Sequence, residues 1–230
     1  MEKISVLVTA WNNVKYLEEC LDSINRQGLG NDKFEVLLGI DGCVKTKRKF
    51  LEIRNKYKDL DLKAYLMLSN KGTYITTNTL AKLANNNILL RFDSDDIMRE
   101  DMLFKIFKTY NGKDNLDLVI FRCTNFNKGK ESLSPPLEGV MSYTKSSFEK
   151  VGGYKPWRCA ADTDFFMRLK FSKINSALIN ESLYKRRIHN ESLTRSPETK
   201  FGSKTRMEYA RKLARKFEKI KTITNRYEKL

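Results

Sequence analysis

A chain of 230 residues with 40% hydrophobic and 11% aromatic content can bury a sizeable core, which excludes a disordered chain and a small disulfide-stapled scaffold. Its net charge is +16, from 44 Lys+Arg against 28 Asp+Glu, so an anionic partner belongs among the function classes to test. Cys20, Cys43, Cys123 and Cys159 form no CxxC pair, which excludes a zinc ribbon or thioredoxin-like site and fits free thiols in a reducing compartment.

Met1-Glu2-Lys3 runs directly into Ile4-Ser5-Val6-Leu7-Val8, a β-branched apolar run that reads as a buried strand, with no signal-peptide pattern before it. Leu17, Leu21 and Ile24 recur at helical spacing across Val14 to Ile24, and Gly28 to Asp32 ends that helix. Phe34 to Ile40 reads as a second strand, closed by Asp41-Gly42. The charge run Lys45 to Lys49 reads as a solvated face. A helix is expected over Phe50 to Tyr57, a strand over Lys63 to Leu68, a turn at Asn70-Lys71-Gly72 and a helix over Thr76 to Ala84. Ile88 to Phe92 is the fourth strand, followed by a helix over Met98 to Tyr110 and a strand over Leu116 to Cys123. This alternation predicts an α/β fold with a mainly parallel sheet covered on both faces.

From Thr124 to Pro136 the composition turns polar and reads as a loop. A strand is expected over Gly139 to Thr144, a short helix over Ser147 to Val151, a helix over Asp162 to Lys170 and a strand over Ala177 to Tyr184. Phe201 to Tyr227 reads as a long amphipathic helix with a stripe from Met207 to Ile220 and Ile223. Eleven basic and three acidic residues fall from Lys200 onward, which puts half of the net charge in the tail. No apolar stretch approaches the roughly 20 residues that cross a bilayer. The expected location is cytoplasmic, with the protein soluble or peripheral on the cytoplasmic membrane face.

Chemistry concentrates at Asp93-Ser94-Asp95-Asp96, directly after the fourth strand. Several carboxylates at a strand end are costly unless a cation or strong hydrogen bonding offsets them. Hard cations such as Mg²⁺ and Mn²⁺ bind one or two carboxylates plus substrate phosphates, and open α/β sheets collect ligands beyond the carboxyl ends of their strands. The plainer reading is that Asp95 or Asp96 caps the following helix.

Taken in order, these segments resemble the family 2 glycosyltransferases over most of residues 3 to 195. The opening strand with Thr9-Ala10-Trp11 is similar to the family's nucleoside-contacting loop, and Asp41 to the second of its paired aspartates, with Ile40 replacing the first. Asn70, Gly72 and Asn78 match the next stretch, except that Thr76-Thr77 replaces Ala-Arg. Another basic group is then expected to meet the diphosphate. Asp93-Ser94-Asp95 stands at the separation of the family's D-x-D motif. Ala161-Asp162-Thr163-Asp164 with Arg168 resembles its acidic acceptor motif, with Ala161 replacing Glu, and Arg187-Ile188-His189 resembles its late Arg-x-His motif.

The resemblance implies a GT-A fold over residues 1–199, with a nucleotide-binding half to about residue 97, an acceptor half over about 98–199, and a basic helical tail over 200–230. It implies an inverting transfer from a nucleotide-sugar donor, UDP-sugar favoured, to a glycan or other hydroxyl acceptor. Asp162 is the expected general base, and Asp164 and Trp157 the acceptor contacts. Thr9, Ala10, Trp11, Asp41, Asn70, Asn78, Asp93, Ser94 and Arg187 are expected at the donor, and Asp95 and His189 on Mn²⁺ or Mg²⁺. Each has a plainer role as well: Asp162 as a helix cap, Asp164 as the partner of Arg168, Trp11 and Trp157 as core aromatics, His189 as a structural side chain. The alternatives are an inactive relative, suggested by Ile40, Thr77 and Ala161, a nucleotidyltransferase without a Gly-rich phosphate loop, and a basic membrane-binding or nucleic-acid-binding module. Nucleic acid is not the expected partner, because it leaves the ordered motifs unexplained. The tail is expected either on an anionic membrane surface or packed against the catalytic domain.

Overall fold

The computed structural model describes residues 2–136 and 139–227, with side chains given through Glu218. Continuous apolar runs become central strands because both their faces are covered. The strands β1 (Ile4–Ala10), β2 (Phe34–Ile40), β3 (Leu62–Leu66) and β4 (Ile88–Asp93) pair in parallel in the order β3-β2-β1-β4. Their register sets Thr9 beside Asp93 and Ala10 beside Ile40, so the carboxyl ends of β1, β2 and β4 meet at one edge.

Alternate residues divide the core. Val6, Val8 and Leu38 face one apolar cluster, which also holds Leu17, Cys20, Leu21 and Ile24 of α1 (Leu17–Asn25), Ile53 of α2 (Val44–Ile53), and Leu103 and Ile106 of the later helix over Met102–Asn111. Leu7, Leu37 and Leu89 face the other, with Tyr74 and Leu80 of α3 (Thr73–Leu83). The helix over Met102–Asn111 is α4.

The second half adds antiparallel pairing. Strands β5 (Ile97–Met98), β6 (Leu118–Asn127), β7 (Lys130–Ser134), β8 (Ser142–Thr144) and β9 (Ser176–Arg187) extend the sheet as β4-β8-β6-β9-β5, with β7 on β6. Helices α5 (Lys145–Lys150) and α6 (Ala161–Phe171) close the second cluster with Phe148, Phe165 and Leu169.

Three expectations are corrected. The polar stretch from Thr124 is no loop: β6 continues through it and turns into β7 with Asn127 paired to Lys130, so backbone pairing holds a strand that little burial supports. The second helix starts at Val44 rather than Phe50, because Thr46 is buried within the lysine run while its neighbours stay in solvent, and Arg54–Tyr57 is a 3-10 turn. Met98 lies in β5, paired with Tyr184, so α4 begins at Met102.

The tail helix α7 (Lys204–Tyr227) packs against the domain. Tyr209 stacks on Trp157 with centroids 4.6 Å apart, and Phe217 stacks on Phe171 at 5.0 Å. Lys216 Nζ lies 2.9 Å from the buried carboxylate of Asp164. The expected stripe positions Ile220 and Ile223 lie outside the described side chains. No helix among the described residues is long and apolar enough to cross a membrane.

Candidate active site

The end of β4 turns sharply after Asp93, with the Asp96 amide donating to the Asp93 carbonyl at 3.1 Å. That turn aims the three carboxylates differently. Asp95 Oδ2 meets His189 Nε2 at 2.8 Å. Asp96, 3% exposed, accepts the Arg187 amide at 2.8 Å, which ties the end of β9 to the turn. Asp93 Oδ1 accepts from Arg91 Nη2 at 2.7 Å. Ser94 accepts from the Asn13 side-chain amide at 2.8 Å, which joins the turn to the loop after β1.

Burial, opposed by Arg91 and reinforced by Asp95 and Asp162, pushes the Asp93 carboxyl up to about 6. Burial, then Asp95 and Asp93, holds Asp96 well above the usual carboxylate range. A bound divalent cation would reverse that push. Asp95 and His189 offer one oxygen and one nitrogen donor side by side. Among the described residues no cluster of three or more His, Cys, Asp or Glu is arranged to hold a metal. Two protein ligands with the remainder supplied by phosphate oxygens is a donor set that suits Mn²⁺ or Mg²⁺.

Arg187 is tightly engaged. Its Nε donates to the Asp95 carbonyl at 2.9 Å, its Nη2 bonds Glu19, and its guanidinium lies between the rings of Tyr16 and Phe126 at 4.4 and 4.5 Å. Tyr16 also packs against the His189 ring at 5.0 Å. Arg187 therefore braces the turn that carries Asp95.

Asp162 opens α6 behind Ala160, whose φ of 61° is the left-handed conformation. Asp162 lies beside the Tyr74 hydroxyl, and its Oδ2 and Arg91 Nη1 both approach the Cα of Gly139, within 4 Å of where a Cβ would stand. Asp162 Oδ1 also accepts its neighbour Thr163's amide at 3.0 Å.

Several expected contacts have structural partners. Asp41 is 2% exposed and accepts the amides of Lys71 and Gly72, each at 2.8 Å, so it fixes the turn that follows β3. Asn78 exchanges hydrogen bonds with the backbone of Tyr154 at 2.8 and 2.9 Å, clamping α3 to the loop before α6. Asp164 is 1% exposed between Arg168 Nε at 2.6 Å and Lys216. Trp157 gives one face to Tyr209. Thr9 bonds Thr73 at 2.7 Å, Ala10 is buried, and Trp11 and Asn70 are exposed. The family departures are interior: Ile40 is 2% exposed, and Thr77 and Ala161 are fully buried.

Arg91, Thr73, Tyr74, Asn13 and Glu19 were not read from the sequence as site residues. Arg91 carried a signal, a single charge inside Ile88 to Phe92, two residues before Asp93.

The model for the family described as "Glycosyl transferase family 2" matches residues 5–178. The chain belongs to glycosyl transferase family 2. This family 2 chain is 33% identical over 129 residues to the poly(ribitol-phosphate) beta-N-acetylglucosaminyltransferase TarS of Staphylococcus aureus, a match covering 55% of this chain and 22% of TarS. It is 26% identical over 130 residues to TarP of the same organism and the same descriptive name, covering 56% of this chain and 39% of TarP. Among solved structures, TarS in complex with UDP-GlcNAc aligns with a TM-score of 0.73 at 20% identity, over 83% of this chain and 60% of that one. The mannosyltransferase PcManGT from Pyrobaculum calidifontis, in complex with GDP-Man and Mn²⁺, aligns at 0.70 and 16% identity, over 86% and 61%. These likenesses establish the GT-A fold for the family 2 chain, which spans well under two thirds of the curated relatives it matches.

Proposed function

We propose that the chain is an inverting glycosyltransferase that moves a sugar from a nucleoside-diphosphate donor, UDP-sugar favoured, to a hydroxyl of a glycan or other acceptor. The observation that carries this reading is the placement of the Asp93-Ser94-Asp95-Asp96 turn, with His189 on Asp95, at the carboxyl end of β4, near enough to Asp162 for the charges of Asp93 and Asp162 to act on each other. The donor half then ends near residue 97 and the acceptor half runs to about residue 199.

In this reading Asp162 takes the proton of the acceptor hydroxyl, which attacks the anomeric carbon from the face opposite the departing diphosphate. Asp95 and His189 would hold a divalent cation. That ion supplies charge neutralisation to the phosphates and so improves the leaving group. Asp93 meets the sugar or ribose, while Arg187 and Asp96 keep the turn in place. Asp41 and Asn78 act by holding the walls of the donor pocket, Asp41 through its turn and Asn78 through the Tyr154 loop. A polyanionic acceptor is supported by the net charge of +16 and by the poly(ribitol-phosphate) in the names of TarS and TarP.

The test is thermal stability with UDP, GDP, CMP and dTDP, each with and without Mn²⁺, on wild type and Asp95→Ala. Ligand at a hundredfold excess over its Kd adds about 2.7 kcal/mol, which for a chain of this size is roughly 5–10 °C. One nucleotide is expected to give a Mn²⁺-dependent rise that Asp95→Ala abolishes. No rise with any nucleotide, in a protein that melts cooperatively, would move the reading to an inactive relative or an anion-binding module.

A further inference from the structure

Arg91 stands out among the buried cations. It is 3% exposed inside β4. Its Nη2 reaches Asp93 Oδ1 at 2.7 Å and Thr73 Oγ1 at 3.3 Å. Thr73 in turn meets Thr9, the β1 residue in register with Asp93, at 2.7 Å. The guanidinium lies over the Tyr74 ring at 5.5 Å, and the hydroxyl of that ring is beside Asp162. Its Nη1 and Asp162 Oδ2 share the Gly139 corner, 3.9 and 3.8 Å from the Cβ position there. Its Nε is buried without a hydrogen-bond partner.

A guanidinium kept only for stability would be expected to present its planar fork to one carboxylate with two parallel bonds. This one shares a single Nη2 between Asp93 and Thr73, turns Nη1 toward the Gly139 corner that Asp162 Oδ2 also approaches, and leaves Nε buried without a partner. The arrangement places one fixed positive charge in contact with Asp93 and within electrostatic reach of Asp162. Each of these carboxylates would otherwise repel the other.

We propose that Arg91 is a positioning residue that holds Asp93 and Asp162 at a set spacing, coupling the donor pocket to the base. This rests on the transferase reading above. Arg91 itself is closed off from solvent and acts through the two carboxylates, with Thr73 and Tyr74 fixing its plane. Misplacement of a reacting group by about 1 Å can cost about 100-fold in rate, so the effect of losing Arg91 falls on turnover and not on nucleotide affinity.

The experiment uses the full chain with Mn²⁺, UDP-GlcNAc and GDP-mannose as donors and water as the acceptor. It reads nucleoside-diphosphate release, and UDP or GDP affinity by titration calorimetry, in wild type, Arg91→Met, Arg91→Lys and Thr73→Val. Arg91→Met is expected to lose about 100-fold in kcat per folded molecule while nucleotide affinity stays within about threefold, and Arg91→Lys to regain at least about tenfold. Equal losses of affinity and kcat, or a kcat within about threefold of wild type, would overturn the proposal. Should Arg91→Met fail to fold, Thr73→Val decides. Freeing Nη2 from one of its two acceptors should lower kcat about five- to tenfold at unchanged affinity, and an unchanged kcat overturns the role. A wild-type protein that binds nucleotide but releases none from either donor sinks the transferase reading, and any role for Arg91 in transfer falls with it.

Discussion

Asp93 binds its proton more tightly in the folded protein than in the unfolded chain, because burial outweighs the attraction of Arg91 and because Asp95 and Asp162 add to the push. Its pKa rises from 3.8 to about 6, so between those values the native state keeps a proton that the unfolded chain has released. Stability contributed by this group is therefore present at low pH and lost as pH rises through that window. A third of the side chain is open to solvent, which screens the effect to about 1 kcal/mol. Metal-free wild type should lose that much relative to Asp93→Asn between pH 4 and pH 7, read from paired thermal melts. Parallel profiles would mean that Asp93 carries no such shift. Asp41 acts by a different route, because both its oxygens accept backbone amides. Asp41→Ala should cost about 2 kcal/mol in denaturant unfolding through the loosened turn at Lys71-Gly72, and an unchanged midpoint would show that the turn holds without it. At this scale the meeting of His189 with the acidic turn was legible because the order and spacing of those segments stand out in one dimension. Arg91 carried only the hint of a lone charge in an apolar run, since its partners Thr73 and Tyr74 arrive from α3.

Elements were legible where burial dictates composition and obscure where pairing alone holds them. The apolar runs of β1, β2 and β4 declare themselves because neither face meets water. Lys130–Ser134 is exposed over four of its five residues, so β7 reads as loop. The start of α2 is hidden by Lys45, Lys47 and Arg48, which stay in solvent while Thr46 turns inward to accept the Asn13 amide at 3.2 Å. One close approach admits a single residue type. Gly42 has φ +66°, and a Cβ there would stand 2.3 Å from the Ser69 carbonyl carbon. Gly42→Ala should cost at least about 2 kcal/mol, since the loop backbone after β3 must shift. A melting temperature equal to wild type would show that the loop adapts freely. The attachment of α7 to α6 was left open by the sequence, because Lys216 and Asp164 are 52 residues apart. Lys216→Met should cost about 1–2 kcal/mol by exposing a carboxylate that keeps only Arg168, and hydrogen exchange should rise along α7 first. Unchanged exchange there would show that the aromatic stacks alone hold the helix.

At the scale of the whole molecule, one sheet separates two apolar clusters. Adjacent residues of β2 reach opposite ones, Leu37 on the α3 side and Leu38 on the α1 side. Because the strands are shared, the two clusters should fail together. Leu37→Ala and Leu38→Ala are each expected to cost about 3 kcal/mol and to shift a single transition seen identically by far-ultraviolet circular dichroism and by calorimetry. A split transition in either variant would divide the domain into separate folding units. The α/β class was legible from the alternation of elements, whereas the insertion of β8 between β4 and β6 required three dimensions.

The stacking of Trp157 on Tyr209 also equips the protein with its own spectroscopic labels. The chain has only two tryptophans, and the other, Trp11, is 57% exposed just after β1. One fluorophore is thus half-buried, with one face covered by the tail helix, while its twin is open to iodide or acrylamide. Steady-state emission with a collisional quencher can follow tail release and any change around the loop after β1 as separate signals in a single unlabelled sample.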